Sequence, residues 1–246
     1  MARILIGIDD TDNLESRGTG FRARQLGLQM QEKGLCKLHC ISRHQLFVHK
    51  DIPFTSHNSS ACIEVFSEEP ISKLAEFGMD FLLRESAEGS DAGLCIADWE
   101  SISEDVIEWG NNAKSIVLNK KSAHELAEKE NIFLIGLTGE KIGVIGSLAA
   151  VGLRKGGNDG RVLWLENLRE LKGTFNYEEF LSSIFIEEII DKQGNPIPKD
   201  TFINIGEWFR PVIKNKKITL ILEEAQNGNI NEWQIVSKDF IKSISQ

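Results

Sequence analysis

Residues 1–20 read MARILIGIDDTDNLESRGTG, and this stretch decides the fold. Residues 2–8 form a short aliphatic run of the kind that makes a buried strand, and Asp9, Asp10 and Asp12 follow it at once. Residues 19–33 carry Phe21, Leu26, Leu28 and Met30 among Arg and Gln and stop at Gly34, which predicts a helix with a glycine C-cap. Strand, acidic turn and helix in that order open an α/β layout, where ligands gather outside the carboxyl ends of strands. Crowded carboxylates raise one another's pKa unless a cation sits among them. Mg²⁺ with a phosphorylated substrate answers that need, since it prefers one or two carboxylates plus phosphate oxygens. Strand alternation puts Asp10 and Asp12 on one face and Asp9 on the other, a geometry relaxed where the strand ends. The plainer reading is that Asp12 and Asn13 start a turn and cap the helix.

Working outward, strands are predicted at 35–42, 46–49 and 61–66, with the polar IPFTSHNSS as a loop between the last two. Residues 71–86 have helical periodicity, and 93–97 read as a buried strand beyond an EGSDAG loop. Residues 106–119 and 123–129 read as helix-rich, and 132–137 as a strand. The glycine-dense GEKIGVIGSLAAVGLRKGGNDGR at 139–161 signals tight turns or close backbone approach. Beyond it, strands are predicted at 162–165, 185–190, 218–223 and 233–236, separated by QGNPIPKD and QNGN turns, so a β-rich C-terminal part is expected from about residue 170.

At 246 residues, 41% apolar and 26% charged, the composition is that of a globular chain with a sizeable core. No apolar stretch is long enough for a membrane span and no signal peptide is evident, so a soluble, cytoplasmic protein is expected. Cys36, Cys40, Cys62 and Cys95 lack zinc or disulfide spacing and read as buried thiols, with Cys36 and Cys40 on one face of a strand. Trp99, Trp109, Trp164, Trp208 and Trp233 are dispersed and read as packing residues. The net charge of -9 argues against loose, charge-driven binding to nucleic acid, though a local basic cleft is compatible with it.

Three features together carry a family resemblance: GIDDTD at 7–12, Thr19 seven residues beyond Asp12, and GVIGSLAAVG at 143–152. They resemble the kinase-like, ATP-using domain of archaeal tRNA-isoleucine 2-agmatinylcytidine synthetases, with Ser147 in place of that family's alanine. SDAGLCIA at 90–97 is similar to the family's small-residue loop before a buried strand. The resemblance covers about residues 1–165 and implies an α/β (α+β) fold. Its kinase-like domain would be formed by residues 1–61 and 131–169, with a ferredoxin-like insertion at 62–130 and the β-rich part at 170–246. It also implies ATP and Mg²⁺ as cofactors. The chain departs from the family in reading Arg17-Gly18-Thr19-Gly20 where the family has paired threonines, and, as its cysteines lack zinc-ribbon pairing, no counterpart of the family's OB-fold or zinc ribbon is expected. The expected partners are therefore a nucleotide and a small-molecule acceptor or a partner-delivered RNA, without tight tRNA binding by the chain alone.

On this reading Asp9, Asp10 and Asp12 hold the metal and orient or deprotonate the acceptor, while Thr19 binds or accepts a phosphate. Gly143 and Gly146 admit phosphate close to backbone N–H groups at a helix N-terminus, with Gly18, Ser147 and Lys141 completing the nucleotide site; the alternative is that the small residues permit tight helix packing. Arg43, His57, Asn58 and Ser59 are candidate substrate groups, and His44 and His49 lie in the same stretch. Arg154, Lys155 and Arg161 sit in a flexible connection that covers a phosphate tail or is a solvated turn. Two other function classes stay open: a haloacid-dehalogenase-like phosphatase with Asp10 of Asp10-Thr11-Asp12 as nucleophile, though Leu14 is atypical there, and a non-catalytic nucleotide-binding subunit of an RNA-processing complex.

Overall fold

A computed structural model describes residues 1–55, 57–225 and 231–245; Ser56 of the IPFTSHNSS loop and the QNGN turn lie outside the described residues. The first strand, β1 (Ala2–Asp9), leads into α1 (Thr19–Glu32), followed by β2 (Lys37–Gln45), β3 (Ser59–Ser67), α2 (Ile71–Glu85) and β4 (Gly93–Asp98). These four strands pair in the order β4-β1-β3-β2 with every neighbour antiparallel. That is the split β-α-β, ferredoxin-like arrangement, and residues 2–98 carry it. The expected boundary between 61 and 62 falls inside β3, a central strand bonded to both β1 and β2, so the pairing does not separate 62–130 as a unit.

The chain continues through α3 (Glu104–Asn112), α4 (Lys120–Lys129), β5 (Phe133–Gly136), which extends the sheet beyond β4, and α5 (Val144–Gly156). The C-terminal part comprises β6 (Arg161–Trp164), β7 (Gly173–Asn176), α6 (Tyr177–Ser183), β8 (Glu188–Ile190), β9 (Phe202–Gly206), β10 (Val212–Lys214), β11 (Lys217–Glu224), β12 (Glu232–Ile235) and α7 (Lys238–Ile244). It is joined edge to edge through β6, which pairs with β2 and β10, and its own core gathers Phe180, Ile203, Ile205, Ile218 and Leu222. The expected mixed α and β class and β-rich C-terminal part are thus present.

Alternation in β1 sets the layers. Ile4, Ile6 and Ile8 point to the side covered by α1 and α2, where they meet Leu26, Met30, Leu74 and Phe81. Leu5 points to the other side, against α3, α4 and α5. Burying an aliphatic side chain of this size contributes about 1.5–3 kcal/mol. Gly7 also lies on the α5 side: a Cβ there would stand 2.0 Å from the Ser147 carbonyl oxygen, so the helix rests directly on strand backbone. Across the same interface Glu64 of β3, wholly buried, pairs with Arg154 of α5 at 2.6 Å and with Arg3 at 2.5 Å. Burial works to raise the Glu64 pKa, but Arg154 and Arg3 outweigh it and hold the carboxyl below its ordinary value.

Several local expectations need correction. Residues 46–49 form no strand; the Leu46 N–H donates to the Asn58 carbonyl and the Phe47 N–H to that of Ala113, so the segment is loop tied to loop. Within 185–190 only β8 is extended, and α3 ends at Asn112. Cys36 precedes β2, and the bulge between Leu38 and Cys40 breaks the alternation that would have aligned the two thiols. Arg154 and Lys155 belong to the last turn of α5 rather than to a flexible connection, Arg154 bound to Glu64 and Lys155 donating to the Trp99 carbonyl at 2.6 Å. Trp99 and Trp109 are core residues, whereas Trp208 is exposed beside Arg210 and Lys238. No helix among the described residues is long and apolar enough to cross a membrane.

Candidate active site

The carboxyl end of β1 lies between antiparallel neighbours, so the acidic turn faces the starts of β3 and β4 rather than the crevice of a parallel sheet. Asp9 keeps the alternation of Leu5 and Gly7 and is directed at the first turn of α5, where its Oδ2 occupies the place a Cβ on Gly146 would need. Asp10 then takes φ +52°, an uncommon conformation for a residue with a side chain and a mark of a locally strained turn. Its carbonyl accepts from the Asp91 N–H, and the Thr11 carbonyl accepts from Ala87, so the turn is laced to the loop before β4.

Asp12 is held differently. Its Oδ1 accepts from the Thr19 N–H (3.1 Å) and the Thr19 hydroxyl (2.8 Å), and its Oδ2 accepts from the Thr55 hydroxyl (3.0 Å). Asp12 therefore caps α1 from outside the helix, a favourable place for negative charge, and the Thr19 oxygen also accepts from the Thr11 hydroxyl. Asn13 makes the local turn, accepting from the Glu15 N–H. The capping and turning reading thus holds for Asp12 and Asn13, while Asp9 and Asp10 have no cation paired with them among the described residues. Enclosure pushes the Asp9 carboxyl up to about 8, with Asp10 adding to it. Burial lifts Asp10 to about 6, with Asp91 and then Asp12 adding to it.

Among the described residues no three His, Cys, Asp or Glu side chains converge as a metal site. The expected three-aspartate ligand set is not assembled, because Asp12 is turned onto Thr19 and Thr55. Asp9 and Asp10 still suit a hard cation that takes its other oxygens from a substrate.

Asp9, Asp10, Asp12 and Thr19 line one cleft together with His57, Asn58, Ser59, Gly143 and Gly146, so sequence-distant candidates meet here. Its empty space is about 660 Å³, open mouth included. The rest of the lining is largely apolar and was not anticipated from the sequence: Ile52, Pro53 and Phe54 from the loop before β3, Ile116 and Leu118 after α3, and Ile142. Gly143 must lack a side chain, since a Cβ there would stand 2.6 Å from the Asp91 carbonyl oxygen and 2.8 Å from that of Asp9.

Two expected nucleotide-site residues lie elsewhere. Ser147 is wholly buried, its hydroxyl donating to the Val144 carbonyl within α5, because it sits on the side of the helix that rests on Gly7. Lys141 is exposed at φ +62° and does not line the cleft; its N–H donates to Asp91 Oδ1. Asp91 is the residue sequence reading missed, although the SDAG loop that carries it was singled out. Gly18 and Arg43 line an adjoining groove that shares Asp12, Thr19, His57 and Ser59 with the cleft. His49 lies beside Asp51, at 3.7 Å, outside both. His44 is buried in a chain from Ser42 Oγ through Nε2 (2.8 Å) and from Nδ1 to Asp159 Oδ1 (2.8 Å), itself paired with Lys114. That sequence of groups suits nucleophilic catalysis in type, but Ser42 and His44 are inaccessible, and the chain ties β2 to the loop before β6.

No family model matches the chain. Over 157 residues it is 26% identical to an uncharacterized protein of Methanocaldococcus jannaschii, covering 62% of this chain and 50% of that one. Among solved structures, the complex of TiaS with an isoleucine tRNA and ATP is similar with a TM-score of 0.55 at 24% identity, over 62% of this chain and 36% of that chain. The complex of TiaS with the same tRNA, AMPCPP and agmatine gives 0.53 at 22% identity, over 62% and 36%. Apo TiaS, described as an isoleucine-tRNA agmatidine synthetase, gives 0.53 at 23%, over 61% and 35%. The chain spans half the length of the curated relative and about a third of these structures, and shares its fold with them over the matched part. The resemblance carried by GIDDTD and IGSLAAVG is therefore matched by a likeness of fold.

Proposed function

We propose that the chain is an ATP- and Mg²⁺-dependent enzyme that transfers a phosphoryl or nucleotidyl group to an acceptor. The observation that carries this reading is the placement of two carboxyls of raised pKa, Asp9 and Asp10, beside the glycine-lined first turn of α5 in a cleft that apolar side chains also line. Such acids are costly to leave charged without a cation, and a nucleotide-bound Mg²⁺ would relieve that cost. Ile52, Pro53, Phe54, Ile116 and Leu118 would receive the base, and Gly143 and Gly146 would let phosphate approach backbone N–H groups. Asp9 and Asp10 would hold Mg²⁺, whose bound chemistry is to offset charge on the transferring phosphate. Asp12, already fixed by Thr19 and Thr55, would orient the acceptor hydroxyl or amine and accept its proton. The ATP complex of the TiaS fold supports the nucleotide part of this reading, and the acceptor here is left to the groove beside Asp12.

Calorimetric titration of ATP with Mg²⁺ and with EDTA tests it. Mg²⁺-dependent binding that weakens at least about tenfold in Asp10→Asn is expected. Mg²⁺-independent affinity, equal in the variant, would remove the metal assignment. ATP-free hydrolysis of phosphate esters that is lost in Asp10→Asn would favour the phosphatase reading, and ATP binding without turnover of any candidate acceptor the non-catalytic one.

A further inference from the structure

The groove that meets the cleft at Asp12, Thr19, His57 and Ser59 differs from it in charge. Its walls bring Arg24 from α1, Arg43 from β2, Arg161 from β6 and Lys242 from α7, with Phe21, Gly20 and Leu163 between them. Around it the mutual repulsion extends to Arg17, Arg169 and Arg210. In a chain with nine more acidic than basic charges, this concentration on one face is not a consequence of composition.

Arg43 and Arg161 are direct partners in the antiparallel pairing of β2 with β6, and like charges opposed across strands destabilise a sheet. Nearby carboxylates are shared with other groups: Glu85 pairs with Arg22 and Arg84, Asp239 with Lys242 of the groove itself, and Asp159 with His44 and Lys114 while also favouring the charge on Arg161. Among the described residues Arg24, Arg43 and Arg161 make no ion pair; Arg43 donates only to Ser59 Oγ (2.9 Å) and weakly to Gln45. The buried His44–Asp159 hydrogen bond and the close fit of Gly160 over the His44 ring fix the segment that delivers Arg161. The molecule thus spends stability on holding cations around an open space of about 1220 Å³.

We propose that this groove binds the acceptor substrate through a phosphate group, presenting its reactive end to the nucleotide at Asp12 and Thr19. Several forked guanidinium groups suit a phosphate oxyanion, which each can bind through two parallel hydrogen bonds. A free polyamine acceptor would be repelled from the same walls. The assignment rests on the nucleotide reading for the role of the groove, but not for its affinity. The phosphate can belong to a small phosphorylated metabolite or to a short stretch of RNA, since both present the same oxyanion.

The test titrates ribose 5-phosphate and a short fluorescein-labelled single-stranded RNA into the full chain, with and without saturating Mg²⁺ and the non-hydrolysable analogue AMP-PNP. Wild type is compared with Arg161→Gln and with Arg161→Gln/Lys242→Gln. Removing one phosphate contact is expected to weaken at least one probe about tenfold, and the double change more, with AMP-PNP affinity unaltered. Melting temperature should hold or rise, because the Arg43–Arg161 repulsion is relieved; this separates lost binding from lost fold. Loss confined to the RNA arm identifies a nucleic-acid acceptor, and loss in the sugar phosphate arm a metabolite; both uphold the groove. Phosphate binding that is lost in the variants while AMP-PNP fails to bind even the wild type would uphold the groove and remove the nucleotide reading. Equal binding of both probes to wild type and variants, no binding of either, or a parallel fall in AMP-PNP affinity would overturn the proposal.

Discussion

Replacing Asp9 with asparagine separates the cost of this site from its use. Its carboxyl is shifted from 3.8 to about 8 by enclosure first and by Asp10 second. Each pKa unit corresponds to about 1.4 kcal/mol, so charging Asp9 in the metal-free fold has a ceiling of roughly 6 kcal/mol. Water at the cleft mouth and the coupled protonation of Asp10 reduce the realised value to about 2 kcal/mol. The sign follows from linkage: an acid with a raised folded-state pKa binds more protons folded than unfolded, so stability is lost as pH rises from about 4 to about 8. Asparagine keeps the shape and the acceptor for the Asp10 N–H but never ionises. In EDTA the variant should therefore match wild type near about pH 4 and exceed it near about pH 8.5 by roughly 4–8 °C in melting temperature. With Mg²⁺ and ATP the order should reverse, since only wild type gains from the ligand. Scanning calorimetry across pH checks both halves. A variant no more stable than wild type at high pH would refute the claim that Asp9 is an enclosed acid awaiting a cation.

Three further outcomes are expected. Gly146→Ala places a Cβ 1.8 Å from Asp9 Oδ2; the carboxylate must swing away, so Mg²⁺-dependent ATP affinity should fall about tenfold or more while the melting temperature moves by only a few degrees, helped by roughly 1 kcal/mol of helix propensity. A collapse in stability would show that packing alone governs the position. Thr19→Val removes the 2.8 Å bond to Asp12 and the contact to Thr11; urea unfolding should report a loss of about 1–2 kcal/mol and turnover should drop, with Thr19→Ser restoring both. Glu64→Gln leaves Arg154 buried without its counter-charge, and equilibrium unfolding should show a loss of about 3–5 kcal/mol; a change under about 1 kcal/mol would mean that Arg154 finds solvent or another partner.

The strand, acidic turn and helix at the start were legible because each has a local cause: an aliphatic run, a capping aspartate and a periodic face ended by Gly34. The two glycine motifs also led to the right end of the sheet, where Asp9, Gly143 and Gly146 meet. Lys141 and Ser147 were not legible, because their roles depend on which way one turn of α5 and its preceding loop face, and that is set by Gly7 and Gly93 far away in sequence. Asp91 escaped notice because a single aspartate in a small-residue loop has no local signature; only the pairing of β1 with β4 brings it to Asp10. The apolar wall at Ile52–Phe54 read as a polar loop because its neighbours are polar, and its partners Ile116 and Leu118 come from another helix end. Arg24, Arg43, Arg161 and Lys242 are spread over more than two hundred residues, so no window of sequence displays them as one groove.

The contact between Asp9 and Gly146 also constrains how this sequence can drift. Two residues 137 positions apart occupy one volume: any side chain gained at 146 must be accompanied by a smaller or redirected group at 9, and under the proposed function either change would disturb the site. A lineage that lost the chemistry would be free to fill position 146 and to neutralise position 9, gaining helix propensity and relief from an enclosed charge together. Under the proposed function, the identities at these two positions, read side by side in any homologous chain, are expected to separate members that keep the site from those that have lost it.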